Sequence, residues 1–547
     1  MPARGNLLRR EALYAPSAID RPSQLIHLRD TQALTFLLDI LASGTAGSRP
    51  AYLPTPAQFA VAVTCLVHPA TTTRARTPEE KDAPAAALRL LRLVNKQIGP
   101  KAARFGAAFA FTHFESSRHG ATRRRGDEGE ETSQLNEDTV PLNLELGQSG
   151  ALWSRTEDFW QAVGWAFNCS VLHPARWEVW RLWLEFMCEV LEDDWNERLR
   201  RVESARQAGS EKSEEKLKRP LRKSLLFRYI EGGSAGYGQN RRILRAIFAD
   251  GGPGAVGEFR EVFHKELKSL NRDANEENIK KREAAVNINE GQFGDYLTDD
   301  NDDSGEETST SKQAHPRPQR ASKRPRRSTH LRPDPTSTPP PPTPQTTGLT
   351  LLGGPTSLSL RQRLLTLLTH ASDTLPATFI PLDDLYHLFV ENIRHLPLPI
   401  YQTFLAPTTL PHFTSPQQIT LAEYILSRIL ESSAPRHVEP FLTAENLVSS
   451  YLPYTAGSGN IADNAKVSIA LETMVVLLAQ GGMLVVTDGL RDAVQRGIVA
   501  RGHKAQGDGR KRESGQRDEE GELVWLVESA ERLMFLVEEI VPQKGMA

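Results

Sequence analysis

A stretch in the middle of the chain has almost no residue that could enter a hydrophobic core. Within 298–348 the only large aliphatic residue is Leu331, no aromatic residue occurs, and ten prolines lie within 316–344. Such a composition cannot bury enough apolar surface to offset the conformational entropy lost on folding. We therefore predict a disordered linker over 296–355, with polyproline II character around Pro339–Pro342.

The linker carries the most specific short motif in the chain, a basic run formed by Lys323, Arg324, Pro325, Arg326 and Arg327. Importin-type receptors bind an extended, accessible basic run through its side chains, so the run has the character of a nuclear-import motif. An incidental solvated run and a contact to a phosphate backbone are the alternatives. The same linker contains three candidate phosphosites, whose added charge would oppose a basic contact: Ser304, Thr338 and Thr343.

Apolar residues on both sides of the linker recur at positions i, i+3, i+4 and i+7, the rhythm of amphipathic helices. At 547 residues the chain also exceeds the size at which one hydrophobic core keeps growing. We therefore predict an all-α protein with two irregular helical bundle or repeat-like regions, 21–295 and 356–547, around the linker. A flexible N-terminus (1–20), an exposed insertion near 116–148 and a charged loop near 501–522 complete the predicted organisation.

In the N-terminal region the periodicity predicts helices over 23–41, 57–68, 85–97 and 258–270. The pair Thr55-Pro56 has the form of an N-cap followed by proline at the first helical position. In the C-terminal region the same rhythm predicts helices over 357–371, 382–393, 419–430, 444–451, 467–478, 484–499 and 523–541. Two short segments, 377–382 and 483–488, have the composition of strands.

Seven of the eight tryptophans lie between Trp153 and Trp195. In the second half of this stretch they share an apolar sector that is wider than a surface helix needs, which predicts a central core helix. The predicted core residues are Trp177, Trp180, Trp183, Leu184, Phe186, Met187 and Leu191. An aromatic cage or a base-stacking platform is the alternative, but it would need aromatic residues interleaved with cations on an exposed face.

No pattern of catalytic, cofactor-binding or metal-ligating residues stands out, so no catalytic residue, cofactor or metal is predicted. The sequence has no GxSxG elbow, HExxH pair or paired CxxC motif. Cys65, Cys169 and Cys188 have apolar surroundings, which is typical of buried thiols in a reducing compartment. No window approaches the roughly twenty apolar residues of a membrane span, so no membrane contact is expected.

The net charge is −2, but residues 1–114 contain 14 basic and 7 acidic residues, a local charge of +7. We therefore expect a non-enzymatic nuclear scaffold or interaction subunit of a multiprotein assembly, with chromosome maintenance or chromatin as the preferred setting. Its expected partners are protein subunits of that complex and an importin-type receptor. The alternative is a factor that binds nucleic acid directly through its basic N-terminal region, for example in ribosome biogenesis. A divergent helical enzyme is the third hypothesis.

Overall fold

A computed structural model gives the structure of the chain, and it describes residues 30–45, 53–111, 145–147, 150–209, 214–232, 237–268, 351–406, 412–435, 442–509 and 516–540. Over these residues the fold is all-α. The described residues contain no strand, and one isolated antiparallel bridge pairs Leu430 with Ala456. The two segments with strand-like composition, 377–382 and 483–488, are therefore not strands.

The helices of the N-terminal region are α1 (Asp30–Thr45), α2 (Pro56–Val67), α3 (Pro78–Gln97), α4 (Phe105–Ala108), α5 (Leu152–Arg155), α6 (Phe159–Leu172), α7 (Pro174–Gln207), α8 (Glu214–Arg222), α9 (Leu225–Glu231), α10 (Tyr237–Ile247) and α11 (Pro253–Glu258). Local sequence accounts for several of their starts. Thr55 and Gln58 form a capping box at α2, in which each side chain accepts a hydrogen bond from the other residue's backbone N–H. Thr77 and Glu80 do the same at α3.

The helices of the C-terminal region are α12 (Gly354–Thr374), α13 (Leu382–Ile393), α14 (Leu398–Leu405), α15 (Ser415–Ile429), α16 (Ala444–Asn446), α17 (Ile461–Gln480), α18 (Asp488–Gly509) and α19 (Gln516–Phe535). A π-helical turn, Leu447–Tyr451, continues α16, and another, Leu536–Ile540, continues α19. Prolines begin several of these helices, as at α14, where Pro397 is the N-cap residue.

Helix α7 runs through the centre of the N-terminal core. All seven predicted core residues on it are buried, and the most exposed of them, Trp177, is only 6% exposed. The ring of Trp180 meets that of Trp183 edge-on at a centroid distance of 5.3 Å. Because these tryptophans pack against other core side chains, they do not form an exposed stacking platform.

The predicted helix over 258–270 is wrong. Helix α11 ends at Glu258, and the chain then turns without regular structure to residue 268. Lys265 has a φ of 54°, a left-handed conformation that interrupts a helix. Tertiary contacts determine this path, since Phe259, Phe263 and Glu266 all point into the core, whereas Leu267 is 43% exposed.

One predicted loop is also corrected by the structure. The charged segment 501–522 is helical at both ends, because α18 continues to Gly509 and α19 begins at Gln516. Buried Arg501 holds α18 in place by donating to the carbonyls of Leu452 and Tyr454 at 3.0 and 3.1 Å. Of the predicted insertion 116–148, only residues 145–147 are among the described residues; they form a 3-10 turn in which Leu146 is buried.

The two predicted helical regions, one on each side of the linker, pack together in one compact unit. A single hydrophobic cluster includes side chains of both regions. Arg361 of α12 is buried and donates to the carbonyls of Ile247, the last residue of α10, and Ala249, just after it, at 2.5 and 2.8 Å. The partial negative charge of that helix end stabilises the buried guanidinium.

Candidate interaction surface

The residues of the linker motifs cannot be placed in this fold. Lys323, Arg324, Pro325, Arg326 and Arg327, together with Ser304, Thr338 and Thr343, lie outside the described residues. The candidate site is therefore formed by residues of the helical unit.

Helix α19 has one face that packs against α17. Leu526, Ser529, Leu533 and Val537 follow the helical repeat along this face and are all at most 5% exposed. Glu472 of α17 accepts hydrogen bonds from Arg532 Nε at 3.0 and 3.1 Å and from Ser529 at 3.3 Å. Burial raises the pKa of the Glu472 carboxyl, while Arg532 and Ser529 oppose that rise. These contacts fix the rotation of α19 about its axis.

The other side of α19 presents apolar side chains to solvent. Val524 and Phe535 are 54% and 56% exposed, and Leu523 and Val527 are 41% and 49% exposed. With Val499 of α18, five of the eleven exposed large apolar residues in the described part of the chain lie on these two adjacent helices. Isolated exposed apolar residues are ordinary on protein surfaces, but a cluster of this kind marks an interaction site.

A groove of about 560 Å³ lies beside this exposed face, between α18 and the end of α19. Its lining residues are Ile498, Ala530, Glu531, Met534, Phe535, Glu538 and Glu539. We call these residues, with Val499, Leu523, Val524 and Val527, the α18/α19 surface. The floor of the groove is apolar and its carboxylates are exposed, as in a groove that receives an amphipathic helix.

The charge of the groove is of one sign. Glu531, Glu538 and Glu539 are all exposed, and in the described part of the chain none of the three forms a salt bridge. The nearest cation along α19, Arg532, is paired with Glu472 and lies 3.5 Å from Glu528. The surface therefore combines an apolar floor with a negative rim.

A buried polar cluster in the N-terminal core has the perturbed ionisation of an active site but no access. Arg176 and Glu266 form an ion pair at 3.2 Å with side chains 3% and 0% exposed. Trp165 and Trp180 donate their ring N–H groups to Glu266, and burial raises the pKa of that carboxyl. Burial and three nearby arginines lower the pKa of neighbouring His68 to about 4. All of these hydrogen bonds join groups of the protein itself. The cluster therefore has a structural role, in which it connects α6, α7 and the 259–268 segment.

A second cavity, of about 260 Å³, lies where α7 meets α12. Arg363 donates two hydrogen bonds to Glu192, at 2.8 and 2.7 Å, so the main charges of the cavity neutralise each other. Ser359 Oγ lies 2.7 Å from His412 Nε2, and burial lowers the pKa of His412, so this pair resembles a nucleophile beside a base. In the described part of the chain no carboxylate orients the other nitrogen of His412, as a catalytic triad requires.

Sequence reasoning missed the α18/α19 surface, although one signal for it was present. Residues 523–541 (LVWLVESAERLMFLVEEIV) are apolar on more than one side of a helix, whereas a single packed face needs only one apolar stripe. Ile498 and Val499 could not be assigned to the same surface, because only the fold brings α18 beside α19.

Among the described residues, no group of three or more His, Cys, Asp or Glu side chains has a metal-binding arrangement. None of the described helices is long and apolar enough to cross a membrane. Compared with known protein families, curated proteins and solved structures, the chain matches none of them.

Proposed function

We propose that this chain is a non-enzymatic interaction subunit of a nuclear multiprotein assembly, which docks a partner protein on the α18/α19 surface. The observation that carries the proposal is the second apolar face of α19. Its first face already packs against α17, so the helix needs no further apolar residues to fold. The exposed side chains of Val524, Val527 and Phe535 are therefore available for a partner.

The energetics of burial favour docking at this place. Val524 and Phe535 are each more than half exposed. Covering them with a partner would contribute about 1 kcal/mol of binding free energy per side chain. Leu523, Val527 and Val499 would add similar amounts if the partner reached them. Exposed apolar residues grouped on two adjacent helices suit the central contact of an interface, where a few large apolar side chains contribute most of the affinity.

The nuclear part of the proposal rests on the basic run Lys323–Arg327 in the predicted linker. Chromosome maintenance or chromatin is the preferred setting for this scaffold. Phosphorylation at the candidate sites in the same linker would regulate nuclear import or a contact made by the basic run. Deleting Lys323–Arg327 should move the protein to the cytoplasm without changing its thermal unfolding. Unchanged nuclear localisation of the deletion variant would contradict this part of the proposal.

Affinity capture of the tagged full chain from nuclear extract tests the docking role. We expect a discrete set of proteins with the unchanged chain and loss of that set with the double variant Val527→Asp/Phe535→Asp. Both side chains are exposed, so the variant should keep its helix content and stability. The control is Met483→Asp/Val485→Asp, which places the same two charges on apolar residues that are 53% and 72% exposed outside the surface. A partner set that is the same for all three chains would refute docking on this surface.

The rival role, direct nucleic-acid binding by the basic N-terminal region, has less support. Arg92 forms a salt bridge with Glu189 at 2.7 Å, and Arg74 donates to the carbonyls of Lys265 and Lys268. Cations that are committed to internal partners bind phosphate only after those contacts break. The geometry of these arginines therefore favours protein docking as the first role to test.

A further inference from the structure

We infer that the occupant of the α18/α19 surface is a basic amphipathic helix of another protein. This inference rests on the proposed function and adds the chemistry of the partner. Ile498 of α18 lies on one side of the groove, and residues of α19 and its terminal turn line the rest. A third helix fills such a space with its side-chain ridges.

The spacing of the exposed residues sets the length of the partner. Leu523, Val527 and half-buried Met534 follow intervals of four and seven residues along one side of α19, and exposed Phe535 comes next to Met534. The distance from Leu523 to Phe535 along the axis is about 18 Å at the rise of an α-helix. A partner segment of about three to four turns, with an apolar residue at every third or fourth position, would cover this length.

The carboxylates around the groove set the charge of the partner. Glu531, Glu538 and Glu539 line it, and Glu528 is exposed beside them. Lysine or arginine residues that flank the apolar stripe of the partner would lie opposite these carboxylates. Acidic residues at the same positions would be repelled, so the rim selects between helices that have the same apolar stripe.

A second copy of this chain fits the surface poorly. In a symmetric pair the same patch faces itself, so the three groove glutamates of one copy would lie near those of the other. Like charges at such short range oppose association, and the groove contributes no cation to offset them among its lining residues. The favoured occupant is therefore a different, basic chain.

Two synthetic helical peptides serve as probes for the charge of the partner. Both carry the same leucine stripe over about four turns, but one has lysines and the other glutamates at the flanking positions. Their binding to the full chain is measured by fluorescence anisotropy. We expect the lysine peptide to bind about tenfold more tightly or better, since three exposed ion pairs replace three repulsions. The difference should shrink as salt screens the exposed charges.

Charge reversal in the groove tests the assignment directly. Glu531→Lys with Glu538→Lys leaves two lysines beside Glu528 and Glu539, so it should abolish the preference for the lysine peptide. The control, Glu203→Lys with Glu445→Lys, makes the same change in net charge at two exposed glutamates that do not line the groove, and it should keep the original preference. A preference that shifts equally in both double variants would reflect net charge alone and would overturn the inference.

The remaining outcomes separate this inference from the proposed function. If both peptides bind equally and Val527→Asp abolishes both, the surface docks helices without selecting charge, and only this inference fails. If neither peptide binds while nuclear capture still depends on Val527 and Phe535, the partner is not a basic helix. Concentration-dependent dimerisation that Val527→Asp abolishes would identify a second copy as the occupant and would also overturn the inference.

Discussion

Two glycines of α18 should respond in opposite directions to the same substitution. Gly497 and Gly502 both lie inside this helix, where replacing glycine with alanine normally stabilises by about 1 kcal/mol. A Cβ at Gly502 would meet no atom within 4 Å, so Gly502→Ala should gain most of that amount. A Cβ at Gly497 would come within 1.9 Å of the Leu452 carbonyl oxygen.

The contact at Gly497 cannot be relieved cheaply. The atom in the way belongs to the backbone, and Arg501 also holds the Leu452 carbonyl through a hydrogen bond of 3.0 Å. Overpacking in a core costs about 1 to 3 kcal/mol, and a backbone clash lies at the upper end of that range. After the helical gain of about 1 kcal/mol, Gly497→Ala should lose roughly 2 kcal/mol in free energy of unfolding.

Urea unfolding followed by tryptophan fluorescence and by far-ultraviolet circular dichroism measures both variants. The account predicts a higher midpoint for Gly502→Ala and a lower one for Gly497→Ala, with equal slopes. If both midpoints rise, α18 does not approach the 452–456 segment closely, and the wall of the groove is misplaced. If Gly502→Ala is destabilising, residues 501–509 are not helical as described.

Three further perturbations test contacts elsewhere in the unit. Gly164→Ala would place a Cβ within 2.3 Å of the Phe259 ring and should destabilise by about 2 kcal/mol or more by urea unfolding; a neutral result would contradict the packing of α6. The pKa of His68 is lowered to about 4, so below pH 6.5 the unfolded state binds more protons than the folded state. The free energy of unfolding should therefore fall by about 2 kcal/mol between pH 6.5 and 4. His68→Asn should reduce this fall, and an unchanged pH dependence in the variant would contradict the prediction. A double-mutant cycle on Arg363→Met and Glu192→Gln should give a coupling of about 1 kcal/mol, whereas zero coupling would deny this contact between the regions.

Local sequence determines much of the fold. The start of α2 is readable from Thr55-Pro56, because a capping side chain and an N1 proline act within one turn. The wide apolar sector of α7 indicates a buried helix, and Trp180 and Trp183 are fully buried there. In both cases the cause lies within the segment, so periodicity is sufficient.

The errors come from residues whose conformation depends on distant partners. The 258–270 segment has helical periodicity, yet Glu266 turns inward to pair with Arg176, and Lys265 adopts a left-handed conformation. The charged composition of 501–522 suggested a loop, but Arg501 forms buried hydrogen bonds to the 452–454 backbone that keep α18 helical. No local pattern reports such contacts.

The candidate surface could be predicted only in part. The excess apolarity of α19 is visible in the sequence, but which residues remain exposed depends on the rotation that Glu472 imposes through Arg532. The groove depends on the approach of α18, which residue spacing does not reveal. The negative charge around the groove can be predicted only when the exposed side of α19 is known.

Site-specific photocrosslinking from position 535 in nuclear extract tests the central claim most directly. A benzophenone side chain replaces Phe535, and position 485 carries the same group as the control. The account predicts a discrete crosslinked protein from position 535 that disappears with Val527→Asp, and none of comparable yield from position 485. Equal crosslinking from the two positions, or crosslinking from 535 that Val527→Asp leaves unchanged, would contradict the assignment of the α18/α19 surface.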